Sequence, residues 1–342
     1  TAGHSSAASD VYKRQSGLSP AEVGENFGNF LHEPWQMIFW HLAFTVATVF
    51  VVSKGVRIGL ERLVKVLMPA LLLTLVALVI NSAFVGDFSA ALDFLFTADL
   101  SKLTPVVVLA AVGQAFFSVN VGVGAVLTYS AYLPKEVNLF RSAIIVALGD
   151  TMVALLAGLA IFPIVFANNL DPGEGPGLIF VTLSTAFAQM PGGVLIGTAF
   201  FAMLIFAALT SSISMLESMT ARIYEIRGIS RTAAAGTIGA GTFLVGLITV
   251  LSFSTWENTY PLGQFAIFAG KTPFDLIDYL VSNVLMPLGG MLYALFAGWW
   301  LSRDSCLDEI GLDDGAMFKL WLLLVRVVAP LGVAAVFVFN LA

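Results

Sequence analysis

Between residues 105 and 133 an apolar stretch is interrupted at its centre by Phe117-Ser118-Val119-Asn120-Val121-Gly122-Val123-Gly124. Gln114, Ser118 and Asn120 supply polar side chains within less than two helical turns, and two glycines follow. Glycine costs a helix interior about 1 kcal/mol relative to alanine. A backbone group freed inside hydrocarbon also needs another partner. Such an interruption persists where protein, an ion or a substrate supplies that partner, as at the midplane of membrane transporters. Opened carbonyls beside side-chain oxygens suit a hard cation such as sodium, whereas a sulfur- or imidazole-rich ligand set is missing. Each polar residue taken alone also fits a plainer role, because Ser and Asn tie membrane helices together.

Asp150 stands in Leu148-Gly149-Asp150-Thr151-Met152, in the first half of another apolar stretch. An intramembrane carboxylate is expensive and marks a functional position by default. Ion coordination or proton exchange would use it, and a salt bridge would also satisfy it. Arg141, however, is nine residues back, about 13 Å along a helix. A third cluster is Ala207-Ala208-Leu209-Thr210-Ser211-Ser212-Ile213-Ser214. Its hydroxyls can each bond to a backbone carbonyl one turn back or offer oxygens to an ion, and the segment alone does not choose between these.

The elements that carry these groups are membrane helices. The chain is 58% hydrophobic and 11% charged, with mean hydropathy +0.92, against roughly 25% charged residues in soluble domains. A crossing helix needs about 20 apolar residues. Eight stretches qualify: 35–53, 60–84, 105–133 (broken near 118–124), 139–167, 192–221, 232–254, 275–301 and 318–341. Lys54, Arg57, Arg62 and Lys65, then Lys135 and Arg141, then Arg222, Arg227 and Arg231, then Arg303 and Lys319 surround the odd-numbered connections. The even-numbered ones carry mostly acids, among them Asp87, Asp93, Asp99, Asp171, Glu174, Glu257, Asp275 and Asp278. The positive-inside rule places the odd connections in the cytoplasm, so the chain is expected to begin and end outside, with an odd number of spans preceding it. Phe88–Leu103 and Leu178–Met190 have helical spacing and are expected to lie across the outer mouth, either as gating elements or as packed loop helices.

Residues 1–15 are polar, lack the apolar region of a signal peptide, and read as a disordered tail or as vector or mis-assembled sequence. Residues 16–34 read as an extracellular segment, and 35–342 as the transporter domain. The lone Cys306 rules out an internal disulfide and a multi-cysteine metal site. Trp299 and Trp300, near a span end, suit an interfacial belt.

Residues 113–124, Gly113-Gln114-Ala115-Phe116-Phe117-Ser118-Val119-Asn120-Val121-Gly122-Val123-Gly124, running on to Thr128-Tyr129-Ser130-Ala131-Tyr132, resemble the unwound sixth helix of the neurotransmitter:sodium symporter family. Leu209-Thr210-Ser211-Ser212 with Met215 is similar to its eighth helix. Asp150 with Ala157-Gly158-Leu159-Ala160-Ile161-Phe162-Pro163 is similar to its seventh. The resemblance runs from about residue 17 onward. It implies an all-α polytopic membrane protein with the inverted-repeat, leucine-transporter-like fold. The chain would be a fragment covering about helices 4 to 11, so the missing odd number of spans would be three.

Carried over residue by residue, the resemblance implies one sodium site at Ser118 and Asp150. It implies a second at the Ala207 carbonyl and the Thr210 and Ser211 hydroxyls, both completed by ligands outside this chain. An amino-acid substrate would meet Phe117 as a lid, Ser118, Asn120, Val123, Ser211 or Ser212, and Met215. Asp278 would be an outer-gate carboxylate, and Tyr132 with Glu225 an inner-gate pair. Chloride-dependent relatives have Asn at the Asp150 position and Ser one turn later, where this chain has Ala154, so chloride independence is expected. Val123 is small where many relatives have a larger residue, which favours a hydrophobic or aromatic amino acid.

The implied function is sodium-coupled amino-acid symport by alternating access in a bacterial inner membrane. The expected partners are sodium, an amino acid as small-molecule substrate, and the lipid bilayer. No bond is broken, and no organic cofactor, catalytic residue or nucleic-acid partner is expected. Two rivals stand beside it: a transporter of the same fold with another solute or proton coupling, and a non-transporting amino-acid-binding sensor. A channel is disfavoured because no filter motif or repeated pore segment is found.

Overall fold

The computed structural model describes residues 20–55, 61–119, 121–131, 133–134, 137–169, 172, 177–189 and 192–341. The expectation for residues 1–15 lies outside these, as do Asn120 and Tyr132. Fifteen α-helices carry the described chain, and no strand occurs among the described residues. In order they are α1 (Pro20–His32), α2 (Pro34–Ser53), α3 (Glu61–Val85), α4 (Phe88–Phe96), α5 (Pro105–Ser118), α6 (Ala125–Ser130), α7 (Leu139–Ala167) and α8 (Leu183–Gln189). They continue with α9 (Gly193–Arg227), α10 (Arg231–Ser252), α11 (Pro273–Tyr279), α12 (Met286–Leu295), α13 (Arg303–Ile310), α14 (Ala316–Leu323) and α15 (Ala329–Leu341). Wider π turns at Leu280–Leu285, Phe296–Trp300 and Leu324–Val328 join the late helices.

Among the described residues, seven helices are long and apolar enough to cross a membrane: Pro34–Ser53, Val64–Val85, Leu139–Ala167, Gly193–Arg227, Arg231–Ser252, Pro273–Trp300 and Ala316–Val338. Their surfaces are apolar too. Phe84 is 85% exposed, Trp35 78% and Leu195 77%, an arrangement that lipid stabilises and water would not.

Two boundaries differ from the sequence expectation for a local reason. The fifth span was expected to stop near 221, but α9 continues to Arg227. Its amphiphilic last turns stay helical until Gly228 (φ +61°), whose N–H bonds to Tyr224 O. The amphipathic stretch 88–103 is likewise not one helix: α4 ends at Phe96, Thr97 is extended, and Asp99 starts a separate 3-10 turn, Leu100–Lys102. The Ser101 hydroxyl and backbone N–H donate to the Asp99 carboxylate (2.5 and 3.1 Å). These bonds hold its pKa below the ordinary carboxylate value.

The chain divides into two compact units, Thr1–Thr97 with Val153–Pro273, and Ala98–Met152 with Phe274–Ala342. In the first, α2 packs on α10 and α9. Its core joins Leu75 and Leu78 of α3, Ala160, Ile164 and Val165 of α7, Phe187 of α8, and Phe200 and Phe201 of α9. The Arg231 guanidinium pairs with Glu217, which is 2% exposed, and Arg231 Nε donates to Val52 O at 3.0 Å. One arginine therefore links the ends of α2 and α10 to the body of α9. In the second unit, α15 packs on α5 and α12. Asn138 Nδ2 donates to Gly311 O (2.9 Å). Arg326 donates to Gly298 O, and its guanidinium lies 5.4 Å from the Trp299 ring centroid.

Candidate functional site

In the second unit, α5 ends at Ser118. Val121–Val123 forms a short 3-10 turn. Gly124 then takes φ +81°, ψ 2°, and α6 begins at Ala125. The left-handed backbone at Gly124 is open to glycine without the 1–2 kcal/mol (roughly) that other L-residues incur there. The polar and glycine-rich centre noted in the sequence is thus where regular α-helix stops, and intrahelical i→i−4 bonding no longer accounts for every carbonyl.

Ser118, in the last turn of α5, donates its hydroxyl to Asp150 Oδ2 at 2.5 Å. Asp150 lies in the first half of α7, and both residues are half-buried. Ser118 is the partner that the structure gives to the intramembrane carboxylate; Arg141 stands near the start of α7, where its backbone N–H donates to Asn138 Oδ1 at 2.8 Å. A carboxylate keeps further lone pairs after accepting one hydroxyl, and the hydroxyl oxygen keeps its own. Ser118 and Asp150 therefore present a compact oxygen cluster with a negative charge beside an opened backbone. Val123 stands in the 3-10 turn, half-buried. Phe117 occupies the last turn of α5, and its side chain lies outside the described detail.

In the first unit, α9 is unbroken through its hydroxyl cluster. Thr210 Oγ1 donates to Ala207 O (2.9 Å), Ser212 Oγ to Leu209 O (2.9 Å) and Ser214 Oγ to Thr210 O (2.9 Å). Ser211 points to an exposed position. Ala207 and Thr210 are thus brought together, and Ser211 follows on the next position. Ser212 also exchanges a hydrogen bond with Thr48 of α2 at 2.9 Å. The two residues line a cavity of about 320 Å³ with His41, Thr45, Met215 and Thr242. The His41 ring stacks on Phe243 (4.9 Å, 13°) and contacts Phe243 O at 3.2 Å.

Of the gating expectations, Asp278 is exposed in α11 and accepts from Ser282 Oγ (3.2 Å). Glu225 is exposed in the last turn of α9. Sequence reasoning missed Thr48 as the partner of Ser212, the buried Glu217–Arg231 pair, and Arg326. Arg231 had been noted only as a loop cation. The available signals were an acid seven residues beyond Thr210 and an arginine within an apolar stretch, each costly in a membrane unless paired.

Comparison with known proteins agrees along nearly the whole length. The model of the sodium:neurotransmitter symporter family matches residues 3–342. An uncharacterized sodium-dependent transporter of Bacillus subtilis, YhdH, is 40% identical over 325 residues, covering 94% of this chain and 70% of that protein. An uncharacterized sodium-dependent transporter of Haemophilus influenzae is 33% identical, covering 94% and 69%. Among solved structures, MhsT in complex with L-phenylalanine superposes with a TM-score of 0.86 at 40% identity, covering 99% of this chain and 76% of that one. The all-helical architecture and these relationships agree on a multi-pass protein of the bacterial cell membrane that uses sodium and a small-molecule ligand, and on a transporter, not an enzyme. The chain belongs to the sodium:neurotransmitter symporter family.

Proposed function

We propose that the protein carries a hydrophobic or aromatic amino acid into the cell with sodium, by alternating access and without chloride. The observation that carries this reading is the Ser118–Asp150 contact at the interruption between α5 and α6. Sodium needs several hard oxygens, and a fixed carboxylate supplies the negative charge that makes a desolvated cation tolerable. Asp150 and Ser118 would serve one ion. The Ala207 carbonyl with the Thr210 and Ser211 hydroxyls would serve another.

Substrate identity is supported by a relative: MhsT, 40% identical, was crystallised with L-phenylalanine. Val123 and Met215, each considered within its own unit, are proposed to meet the substrate side chain. Ser212 and the backbone near Ser118 and Asn120 would meet its polar end, with Phe117 closing over it. Asp278 outside, and Tyr132 with Glu225 inside, are proposed as gate residues. Because sodium and substrate bind the same state, each raises the other's affinity by the same factor. With Asp150 carrying the charge and Ala154 in place of a hydroxyl residue, no chloride is required.

The test is uptake of labelled amino acids into proteoliposomes under imposed sodium, proton and chloride gradients. Accumulation of phenylalanine or another bulky apolar amino acid is expected with sodium and unchanged on replacing chloride by gluconate. Asp150→Asn should weaken apparent sodium affinity by on the order of a hundredfold or more, from loss of a unit charge about 4 Å from the ion at intermediate dielectric. Uptake driven by protons alone, or sodium-independent binding without accumulation, would overturn the symport reading. Unaltered sodium affinity in Asp150→Asn would remove the ion-site assignment.

A further inference from the structure

Within the second unit, one face of α12 runs against the interruption between α5 and α6. A side chain at Gly122 would put its Cβ 2.2 Å from the Met286 carbonyl oxygen. One at Gly289 would put it 2.6 Å from the Gly122 carbonyl oxygen, and one at Gly124 would lie 2.9 Å from Tyr293 Oη. Met286, Gly289 and Tyr293 follow at i, i+3 and i+7, so they share one side of their helix. Backbone meets backbone there, more closely than any Cβ permits. The neighbours that would have to yield at Gly122 and Gly289 are carbonyl groups, which cannot swing aside as a flexible side chain does.

We infer that Gly289 and Tyr293 are positioning residues for sodium coupling: α12 serves as the bed on which the opened segment is seated. The inference rests on reading Ser118 and Asp150 as ion ligands. The seat fixes Gly122, four residues from Ser118 along the chain, and Gly124, where the helix restarts. It also covers opened backbone that lipid could not satisfy. A methyl group at position 289 pushes the Gly122 carbonyl away, and the displacement passes through three residues to the Ser118 hydroxyl. Coordination tolerates only about 0.5 Å of misplacement before function falls. Tyr293 acts at the other edge of the seat, where its hydroxyl abuts Gly124.

The experiment compares the protein with its Gly289→Ala, Tyr293→Phe and Gly241→Ala variants. The Gly241 position in α10 has nothing within 4 Å of an added Cβ, so it reports the general effect of such a substitution. Apparent sodium affinity is read from the sodium-dependent shift in thermal midpoint of the purified protein, with no substrate needed. KM and maximal rate for L-phenylalanine come from proteoliposome uptake. Gly289→Ala should raise the sodium concentration for half-saturation at least about tenfold, and Tyr293→Phe about threefold, within the range that small misplacements of reacting groups produce. KM should rise in parallel while maximal rate at saturating sodium stays close to normal, a split that mere loss of folded protein does not give. Gly241→Ala should change neither constant.

Sodium half-saturation and KM within about twofold of the unsubstituted protein, in Tyr293→Phe and in folded Gly289→Ala, would overturn the inference. If Gly289→Ala does not fold, Tyr293→Phe decides alone. A parent protein with no sodium-dependent thermal shift would defeat the ion-site reading and this inference with it. Unchanged variants of a sodium-responsive parent would defeat the positioning role only.

Discussion

The interruption between α5 and α6 and the hydroxyl cluster of α9 put oxygen atoms into apolar surroundings by opposite means. In the first, glycines open the backbone, and Ser118 turns to the Asp150 carboxylate 2.5 Å away. In the second, the helix stays regular, and Thr210, Ser212 and Ser214 return their protons to carbonyls of their own helix. The first places a carboxylate and a hydroxyl beside an interrupted helix, and both keep lone pairs for a further partner. In the second, the hydroxyls of Thr210, Ser212 and Ser214 are already engaged with carbonyls of their own helix and can offer only lone pairs. The difference teaches that equal numbers of oxygens on a helix do not make equal sites. What matters is whether the local hydrogen bonds are closed, and a closed set gives a weaker, neutral claim on an ion.

The comparison can be broken most sharply at Gly124. Gly124→Ala places a side chain at φ +81° against Tyr293 Oη, costing about 1–2 kcal/mol of backbone strain before the contact is counted. We expect at least about a tenfold loss of apparent sodium affinity, measured by sodium titration of binding. A normal affinity would mean that the interruption is not held in this conformation when ions bind.

Thr210→Val tests the other side. It removes the hydroxyl that donates to Ala207 O yet leaves that carbonyl exposed to other donors, a change of about 1 kcal/mol. Sodium affinity should fall by about fivefold, clearly less than at Gly124 or Asp150. A larger loss than at Asp150 would reverse the ranking of the two regions.

The smallest effect is expected for Thr48→Val, which breaks the bond to Ser212 at the margin of the cluster. Stability should drop by about 1 kcal/mol, seen as a lower thermal midpoint, with sodium affinity within about twofold. Abolished sodium response there would make the α2 contact part of the ion site and sharpen the comparison in an unforeseen direction.

Much of this was legible without coordinates. The Ser118-Val119-Asn120-Val121-Gly122-Val123-Gly124 pattern marks a break because glycine and polar residues are disfavoured in a lipid-facing helix. The apolar stretch lengths give the membrane helices, since the bilayer thickness fixes them. Asp150 stands out because a carboxylate in an apolar stretch must have a partner. Less legible were features that depend on neighbours distant in sequence. Nothing local distinguishes Gly289 from Gly290, or announces that Tyr293 abuts Gly124. Glu217 and Arg231 are fourteen residues apart on successive helices, too far for a periodicity argument to join them. The stretch 88–103 has helical spacing throughout, but Asp99 and Ser101 compete for the backbone and start a new turn instead.

By itself, the sequence determined the all-helical membrane architecture, the place of the interruption and the residue types available for coordination. Hydropathy, helix propensity and the cost of buried charge act along the chain and are encoded locally. Tertiary structure alone decided that Glu217 pairs with Arg231 and that Ser212 is shared with Thr48. It also decided that the opened segment is seated on one face of α12. Those choices depend on which surfaces pack together, and close packing leaves each polar group only the partners that its neighbours present.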